Sequence, residues 1–402
     1  MRAPSGRSNH IFRLLRRLRL LAMTGRRINM NSKVSIVKCD SYQRELVCLK
    51  VKKVIDLLGG ITAFIKPESR VLIKPNLLLP IEPEKGIDTH PEVIRAVIRI
   101  LKSINCEVFV GDGPCALKDV PEKIDEVYEK SGMKDVCLEE GASLVEFEQK
   151  RWRKDFPLAA FLDSCDYLVN VPKFKTHNLM VLTGAIKNLF GLVWSVHKIG
   201  LHKKYHDLDE FAKILVDIYE EAKPALTIVD GIIAMEGDGP ATSGKLRRQN
   251  VLVAGSDCVA IDSVLALIMG IVPEDVLSTK EAFKRGLGQA DIKSITIEGE
   301  KLESVIGKPF ILPTGSLVEK ILPSPVIKII KKFIKFYPYS DTKKCIRCGD
   351  CVRGCPNNAI SMKPKGLVFD YSRCISCFCC QEFCPVAAIK VRKGWFMKLA
   401  GL

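Results

Sequence analysis

Eight cysteines near the C-terminus are spaced to hold metal. Cys345-x2-Cys348-x2-Cys351-x3-Cys355-Pro356 recurs as Cys374-x2-Cys377-x2-Cys380-x3-Cys384-Pro385, every position offset by 29 residues, and Ala359-Ile360 maps onto Ala388-Ile389 by the same offset. Nine of the 16 cysteines fall between residues 345 and 384. That clustering fits thiolate ligation in a reducing compartment, not a short secreted domain stapled by disulfides throughout. Zinc sites usually pair C-x-x-C knuckles from separate segments. A tight run instead wraps backbone around a larger inorganic core, so that N–H groups reach its sulfur atoms and the proline turns the chain away. Cys379 has no counterpart, because the matching position is Asp350. The seven cysteines before residue 260 show no ligand spacing and read as small buried hydrophobes.

The duplicated run resembles the bacterial two-[4Fe–4S] ferredoxins. That resemblance implies two [4Fe–4S] clusters and an electron-transfer role in an α+β ferredoxin-like domain over residues 342–392. Three cysteines of one run and the fourth of the other would hold each cube. Cluster one would take Cys345, Cys348, Cys351 and Cys384; cluster two would take Cys355, Cys374, Cys377 and Cys380. A cytoplasmic protein working anaerobically is the matching expectation.

A second set of chemically capable residues lies upstream. Lys74, Lys173, Lys175 and Lys187 suit an anionic substrate, carboxylate or phosphate. His177 and His202 are candidate acid–base groups, since imidazole titrates near neutrality. Asp230, Glu236 and Asp238 could hold a hard cation or orient a lysine. Asn76, Asp112 and Asn188 complete the expected substrate-binding set. Taken singly, each has a bland alternative: a lysine after a strand is usually solvated, and Gly-Asp-Gly-Pro at 111–114 and 237–240 is ordinary turn chemistry. The expected site rests on the group.

The segments carrying these residues resemble the DUF362 family: Ile73-Lys-Pro-Asn-Leu-Leu, Thr89-His-Pro, Pro172-Lys-Phe-Lys-Thr-His, Gly184-Ala-Ile-Lys-Asn-Leu-Phe-Gly and Met235-Glu-Gly-Asp-Gly-Pro. The resemblance covers about residues 33–300 plus the cluster domain. It implies a fold and a site but no reaction. Lys187 in a Gly-rich turn, with His177 upstream and His202 following, is also similar to the cofactor-bearing segment of nickel-pincer lactate racemases. That likeness would imply a cofactor on Lys187; it is short, and no cofactor beyond the clusters is inferred. Gly184–Gly191 lacks the Lys-Ser/Thr ending of a nucleotide P-loop, and no Gly-x-Gly-x-x-Gly follows a strand, so neither nucleotide site is supported.

The elements that must position these residues alternate β and α. Strands are expected at Val34–Lys38, Arg70–Lys74, Val108–Gly111, Tyr167–Val171, Leu226–Asp230, Val251–Ala254 and Ile295–Glu298. Helices are expected at Glu45–Leu58, Glu92–Ile104 (opened by Pro91), Leu208–Glu221 and Cys258–Ile268. The pattern implies an α/β fold, a largely parallel sheet flanked by helices. Ligands of such sheets bind beyond the carboxyl ends of strands. Lys74 and Asn76 follow one strand, Asp112 another, Lys173, Lys175 and His177 a third, and Asp230 with Glu236 a fourth.

The domains expected are a basic extension over 1–29, disordered or artefactual, the α/β domain over 30–310, a linker over 311–341, the cluster domain over 342–392 and a tail over 393–402. Within the linker, Val326–Phe336 has a basic amphipathic pattern. It fits packing on a neighbouring domain better than peripheral membrane contact. The net charge of +16 is peripheral: residues 1–29 hold eight Arg and no acid, whereas residues 30–315 sum to −3. Nucleic acid is therefore not an expected partner. The function expected is an iron–sulfur oxidoreductase whose α/β domain binds a small anion while the clusters relay electrons. The alternative is a non-catalytic electron-transfer or assembly partner whose large domain docks another protein. A concave charged pocket facing the cluster domain would favour the first, and a broad apolar patch the second.

Overall fold

The computed structural model describes residues 32–114, 122–147, 149–194, 196–314 and 336–394. The basic extension, the lysine-rich stretch before Phe336 and the segment from Trp395 onward lie outside the described residues. No helix among the described residues is long and apolar enough to cross a membrane.

A ten-stranded, mostly parallel mixed sheet organises the α/β domain. Its strands are β1 (Ser32–Lys38), β2 (Arg70–Pro75), β3 (Glu107–Val110), β4 (Ser143–Leu144), β7 (Tyr167–Val171), β8 (Lys173–His177), β9 (Val181–Thr183), β10 (Leu226–Gly237), β11 (Gly244–Gly255) and β12 (Ile295–Gly299). A separate hairpin joins β5 (Lys150–Arg153) to β6 (Phe156–Ala159). The order across the sheet is β12-β1-β11-β10-β7-β2-β3-β4, with β8 beside β10 and β9 beside β8. Helices Arg44–Asp56 and Pro91–Lys102 cover one face and helices Leu208–Ala222 and Cys258–Met269 the other, giving two cores. Helix Cys258–Met269 is buried along its whole length, as its unbroken apolar sequence requires.

Two features depart from the expected strand set. Lys173–His177 is itself a strand, paired to β10 and β9, not a loop beyond one. The period of two then puts Lys173, Lys175 and His177 on one face. The strands beginning at Leu226 and ending at Gly255 run 12 residues each, past the expected ends at Asp230 and Val251. A register irregularity between Gly231 and Ile233 interrupts this ribbon and bends it locally.

The C-terminal module is small and internally duplicated. Strand β13 (Phe336–Ser340) pairs with β16 (Ile389–Lys393), and β14 (Ile360–Lys363) pairs with β15 (Gly366–Phe369). The stretch expected to be linker through residue 341 is thus already strand at Phe336. One-turn helices Asp350–Arg353 and Cys379–Glu382 lie within the two cysteine runs and carry the third cysteine of each. The backbone repeats as the sequence does. Left-handed φ values recur at Arg347 and Ser376, at Gly349 and Phe378, and at Asn358 and Ala387, each pair 29 residues apart.

Candidate functional site at the domain junction

Four cysteines, Cys345, Cys348, Cys351 and Cys384, line one apolar cavity with Met362, Leu367 and Ile389. The backbone N–H of Ala359 donates to Cys355 Sγ at 3.2 Å, and that of Ala388 to Cys384 Sγ at 3.1 Å. Burial and the neighbouring Cys348, Cys384 and Cys345 push the Cys351 thiol up to about 12. Burial also raises Cys380 well above the usual thiol range, with Cys377, Cys351, Cys374 and Cys355 around it. Thiols crowded into a dry site resist ionisation unless a cation takes the proton's place. A zinc ion would draw its sulfurs to about 2.3 Å from one point, and no three His, Cys, Asp or Glu side chains among the described residues close on a single ion. An iron–sulfur cube gives each cysteine its own iron, so its ligands surround a volume. The cavity lined by Cys345, Cys348, Cys351 and Cys384 fits the larger group, and none of the fifteen described cysteines is bridged.

Several contacts among the described residues dock the module on the α/β domain. At the ribbon tip, Thr242 Oγ1 donates to Cys384 O at 2.6 Å and accepts from Ala387 N at 3.1 Å. Ile199, on helix Val196–Lys204, packs on Cys379 and Phe383. Asn178, after β8, donates to Gln381. Between these contacts lies a pocket of about 70 Å³, room for roughly five water-sized groups. The α/β domain supplies Asn76, Asp112, Lys175, His177, Thr183, Lys187, Asn188, Lys198 and His202; the module supplies Cys379, Glu382 and Phe383.

Most polar groups there are held by an identifiable device. Lys187 and Asn188 sit on the one-turn helix Ala185–Asn188, whose first N–H groups (Ala185 at 2.6 Å, Ile186 at 3.1 Å) donate to buried Asp262. Burial raises the Asp262 carboxyl to about 7, against those two hydrogen bonds. His177 Nδ1 accepts from Leu179 N at 3.1 Å and Met180 N at 3.3 Å, which leaves the proton on Nε2. Nε2 lies 3.2 Å from Glu382 Oε1, near enough to pair but without hydrogen-bond alignment. Burial, reinforced by Lys187, lowers His177 to about 4 despite Glu382. Burial likewise lowers His202 to about 3, and its ring stacks on Phe211 with centroids 4.5 Å apart. Burial favours protonated Glu382, yet His177, Lys187 and His202 together hold it down to about 2. Lys175 donates to Ile87 O at 2.7 Å, and Lys198 donates to Gly113 O. Asn76 Oδ1, Asn188 Oδ1 and Thr183 Oγ1 line the same space, buried and without a partner.

Four expected site residues, Lys74, Lys173, Asp230 and Glu236, stand off the pocket. Lys74 lies beneath it, fully buried and paired with Asp112 at 2.7 Å; burial lowers its ammonium to about 8 against that pairing. Lys173 is bound to Asp230 at 2.8 Å and to Tyr42 Oη at 2.7 Å. Both belong to a buried network in which Tyr42 stacks on His90. Glu236 lies elsewhere, paired with Arg247 at 3.0 Å. Of the two roles open to Asp230, Glu236 and Asp238, orienting a lysine fits Asp230, which binds Lys173; the three do not gather for a hard cation, since Glu236 binds Arg247 and Asp238 binds Thr314.

Sequence reasoning missed Lys198, Asp262 and Glu382. Lys198 and Asp262 lie within helices that carry no local signal of a site. Glu382 carried one faint mark, an acid between two cysteines of the repeat in an otherwise apolar run.

Comparison with known proteins agrees with this two-part organisation. Residues 71–266 match the domain of unknown function DUF362, and residues 344–388 match the 4Fe-4S dicluster domain. The chain is 31% identical over 265 residues to Thylakoid-associated protein sll1697 of Synechocystis sp. (strain ATCC 27184 / PCC 6803 / Kazusa), an alignment covering 64% of this chain and 81% of that protein. The lactate racemase apoprotein from Thermoanaerobacterium thermosaccharolyticum superposes with a TM-score of 0.40 at 12% identity, over 62% of this chain and 60% of its own. So distant a likeness carries no functional weight. On its α/β region and its cysteine module together, the chain belongs to the DUF362 family and carries a C-terminal 4Fe-4S dicluster domain.

Proposed function

We propose that this iron–sulfur protein is an oxidoreductase acting on a small anion bound at the junction of its two domains. The observation that carries this reading is the shared pocket: Lys175, Lys187 and Lys198 enter it from the α/β domain, and its far wall is the helix Cys379–Glu382 of the cluster run. Three ammonium groups outnumber the one carboxylate not already paired beneath the floor, Glu382. In a site largely closed to water, that surplus attracts a carboxylate or phosphate strongly. The unpartnered acceptors Asn76 Oδ1 and Asn188 Oδ1 favour an anion that also bears a hydroxyl, because a buried acceptor without a donor is costly. His177, neutral with its proton on Nε2, would donate a hydrogen bond from Nε2 to a substrate oxygen. Phe190, Phe383 and Ile199 limit water, which strengthens each of these interactions.

Two [4Fe–4S] clusters, held by Cys345, Cys348, Cys351 and Cys384 and by Cys355, Cys374, Cys377 and Cys380, would supply one-electron transfer. The pocket is concave and charged, which supports an enzyme over a docking module. Anaerobic purification of the full chain, followed by mass spectrometry of the small molecules it releases, tests the reading. A stoichiometric hydroxylated anion, lost in Lys187→Met, is the expected result; a chain that retains and binds no anion contradicts it.

A further inference from the structure

The two halves of the cysteine module share one backbone but not one environment. In the second half, residues 378–384 are buried and Ile375 to Cys377 are half-buried; Cys379 and Phe383 meet Ile199 and Glu382 meets His177. In the first half, the matching Ile346, Arg347 and Cys348 are exposed, and Ile346 is 61% accessible. A ligand cysteine and a large apolar side chain thus face outward where the repeat-related residues are covered.

The charge around this exposed half is one-sided. Residues 341–373 hold seven basic and three acidic residues, and one of the acids, Asp350, is buried against Arg353. Arg347 donates to Lys363 O at 2.8 Å and Pro364 O at 3.2 Å. These bonds bring the β14–β15 turn, with exposed Lys363 and Lys365, beside the loop bearing exposed Lys343 and Lys344. Met362 and Leu367 of that hairpin line the same cavity as Cys345, Cys348, Cys351 and Cys384.

We propose that this face, Ile346 and Cys348 ringed by Lys343, Lys344, Arg347, Lys363 and Lys365, is the docking surface for an acidic one-electron carrier protein. The proposal builds on the redox reading above. One end of the module is occupied by the pocket, so electrons are exchanged with the outside at the other. Each encounter oxidises the reduced carrier by one electron and reduces the module by one, with no bond made or broken. A small apolar centre inside a basic ring suits a short-lived, charge-steered complex, and electron transfer, which falls steeply with distance, needs a ligand at the surface.

The test uses the full chain, loaded anaerobically with iron and sulfide, mixed in stopped flow with an acidic [2Fe–2S] ferredoxin kept reduced. The rate of bleaching is expected to fall at least tenfold between low and moderate salt. It should fall by a similar factor at low salt in K343E/K344E/K365E, while iron content and reduction by dithionite stay within twofold of the parent. A control reversing exposed Lys284, Lys293 and Lys301 should leave the rate within twofold. A rate indifferent to salt and to the triple change, an equal loss in the control, or no reduction by ferredoxin where dithionite succeeds would overturn the proposal. No pocket ligand is present in this assay, so its failure leaves the anion reading standing, and loss of the anion reading leaves this result intact.

Discussion

The cysteine module and the pocket beside it meet at one helical turn, yet they are assembled in opposite ways. The cysteines of the two runs span residues 345–384, each placed by turns within a few residues of it, with the same left-handed positions in both halves. The pocket gathers residues from Asn76 to Phe383, supplied by several sheet strands, two helices and the docked module. A site built locally tolerates distant change. A site built from long-range contacts fails whenever one contributing element moves, and its weak points are residues that never touch a ligand.

The sharpest break of that contrast is beneath the pocket. A Cβ on Gly191 would crowd Asp112 Oδ1 and Lys74 Nζ, so Gly191→Ala must displace a fully buried ion pair. Overpacking of this kind typically costs about 1–3 kcal/mol. Denaturation should show a loss of this size, while the soluble protein keeps its iron. Lys173→Met should be comparably damaging, because it strands buried Asp230; Lys173 is structural, not a solvated binding group. The module breaks differently. Cys348→Ala should remove about half of the iron, roughly four of eight atoms, while chemical denaturation of the α/β domain shifts little.

Within the pocket the effects should be functional first. Lys187→Met removes an ammonium but keeps most of the stem, so anion binding should fail while stability changes by about 1 kcal/mol or less. His177→Gln should lower turnover more than binding if the imidazole moves a proton; equal losses would make it a positioning group only.

Burial lowers His90, His177 and His202 to about 4, 4 and 3. A folded value below the unfolded one near 6.5 means the unfolded chain binds more protons on acidification. Stability should therefore be fully present above about pH 6.5 and fall as pH drops toward 5. His202→Phe, inside its aromatic cluster, should flatten that slope by about 1 kcal/mol per pH unit below pH 6. Melting temperatures at pH 7, 6 and 5 check this. The smallest effect expected is from deleting residues 1–29, which should leave iron content and yield unchanged.

Much of the fold was legible because periodicity is local: Tyr167–Val171 and helix Leu208–Ala222 lie where their patterns put them. The ribbon extension was not, because Lys245 to Asn250 is polar and Gly231 interrupts the alternation, while its purpose, carrying Thr242 to the module, is a long-range contact. The cysteine runs announce a site because one residue type repeats at fixed spacing. Lys175, Lys187, His177 and His202 were nameable as chemistry-bearing residues, but their convergence was not encoded in spacing. Lys173 and Lys175 look alike in sequence; only their partners, Asp230 for one and the Ile87 carbonyl for the other, separate a structural lysine from one that lines the pocket.

Electron paramagnetic resonance of the dithionite-reduced, iron-loaded full chain, titrated with glycolate and with inorganic phosphate, tests most directly whether the pocket binds its anion beside the clusters. The expected result is a saturable change in the iron–sulfur signal on adding one of these anions, absent in Lys187→Met although that variant keeps its iron. The contradicting result is saturable anion binding that leaves the signal untouched, or the same spectral change in Lys187→Met as in the parent.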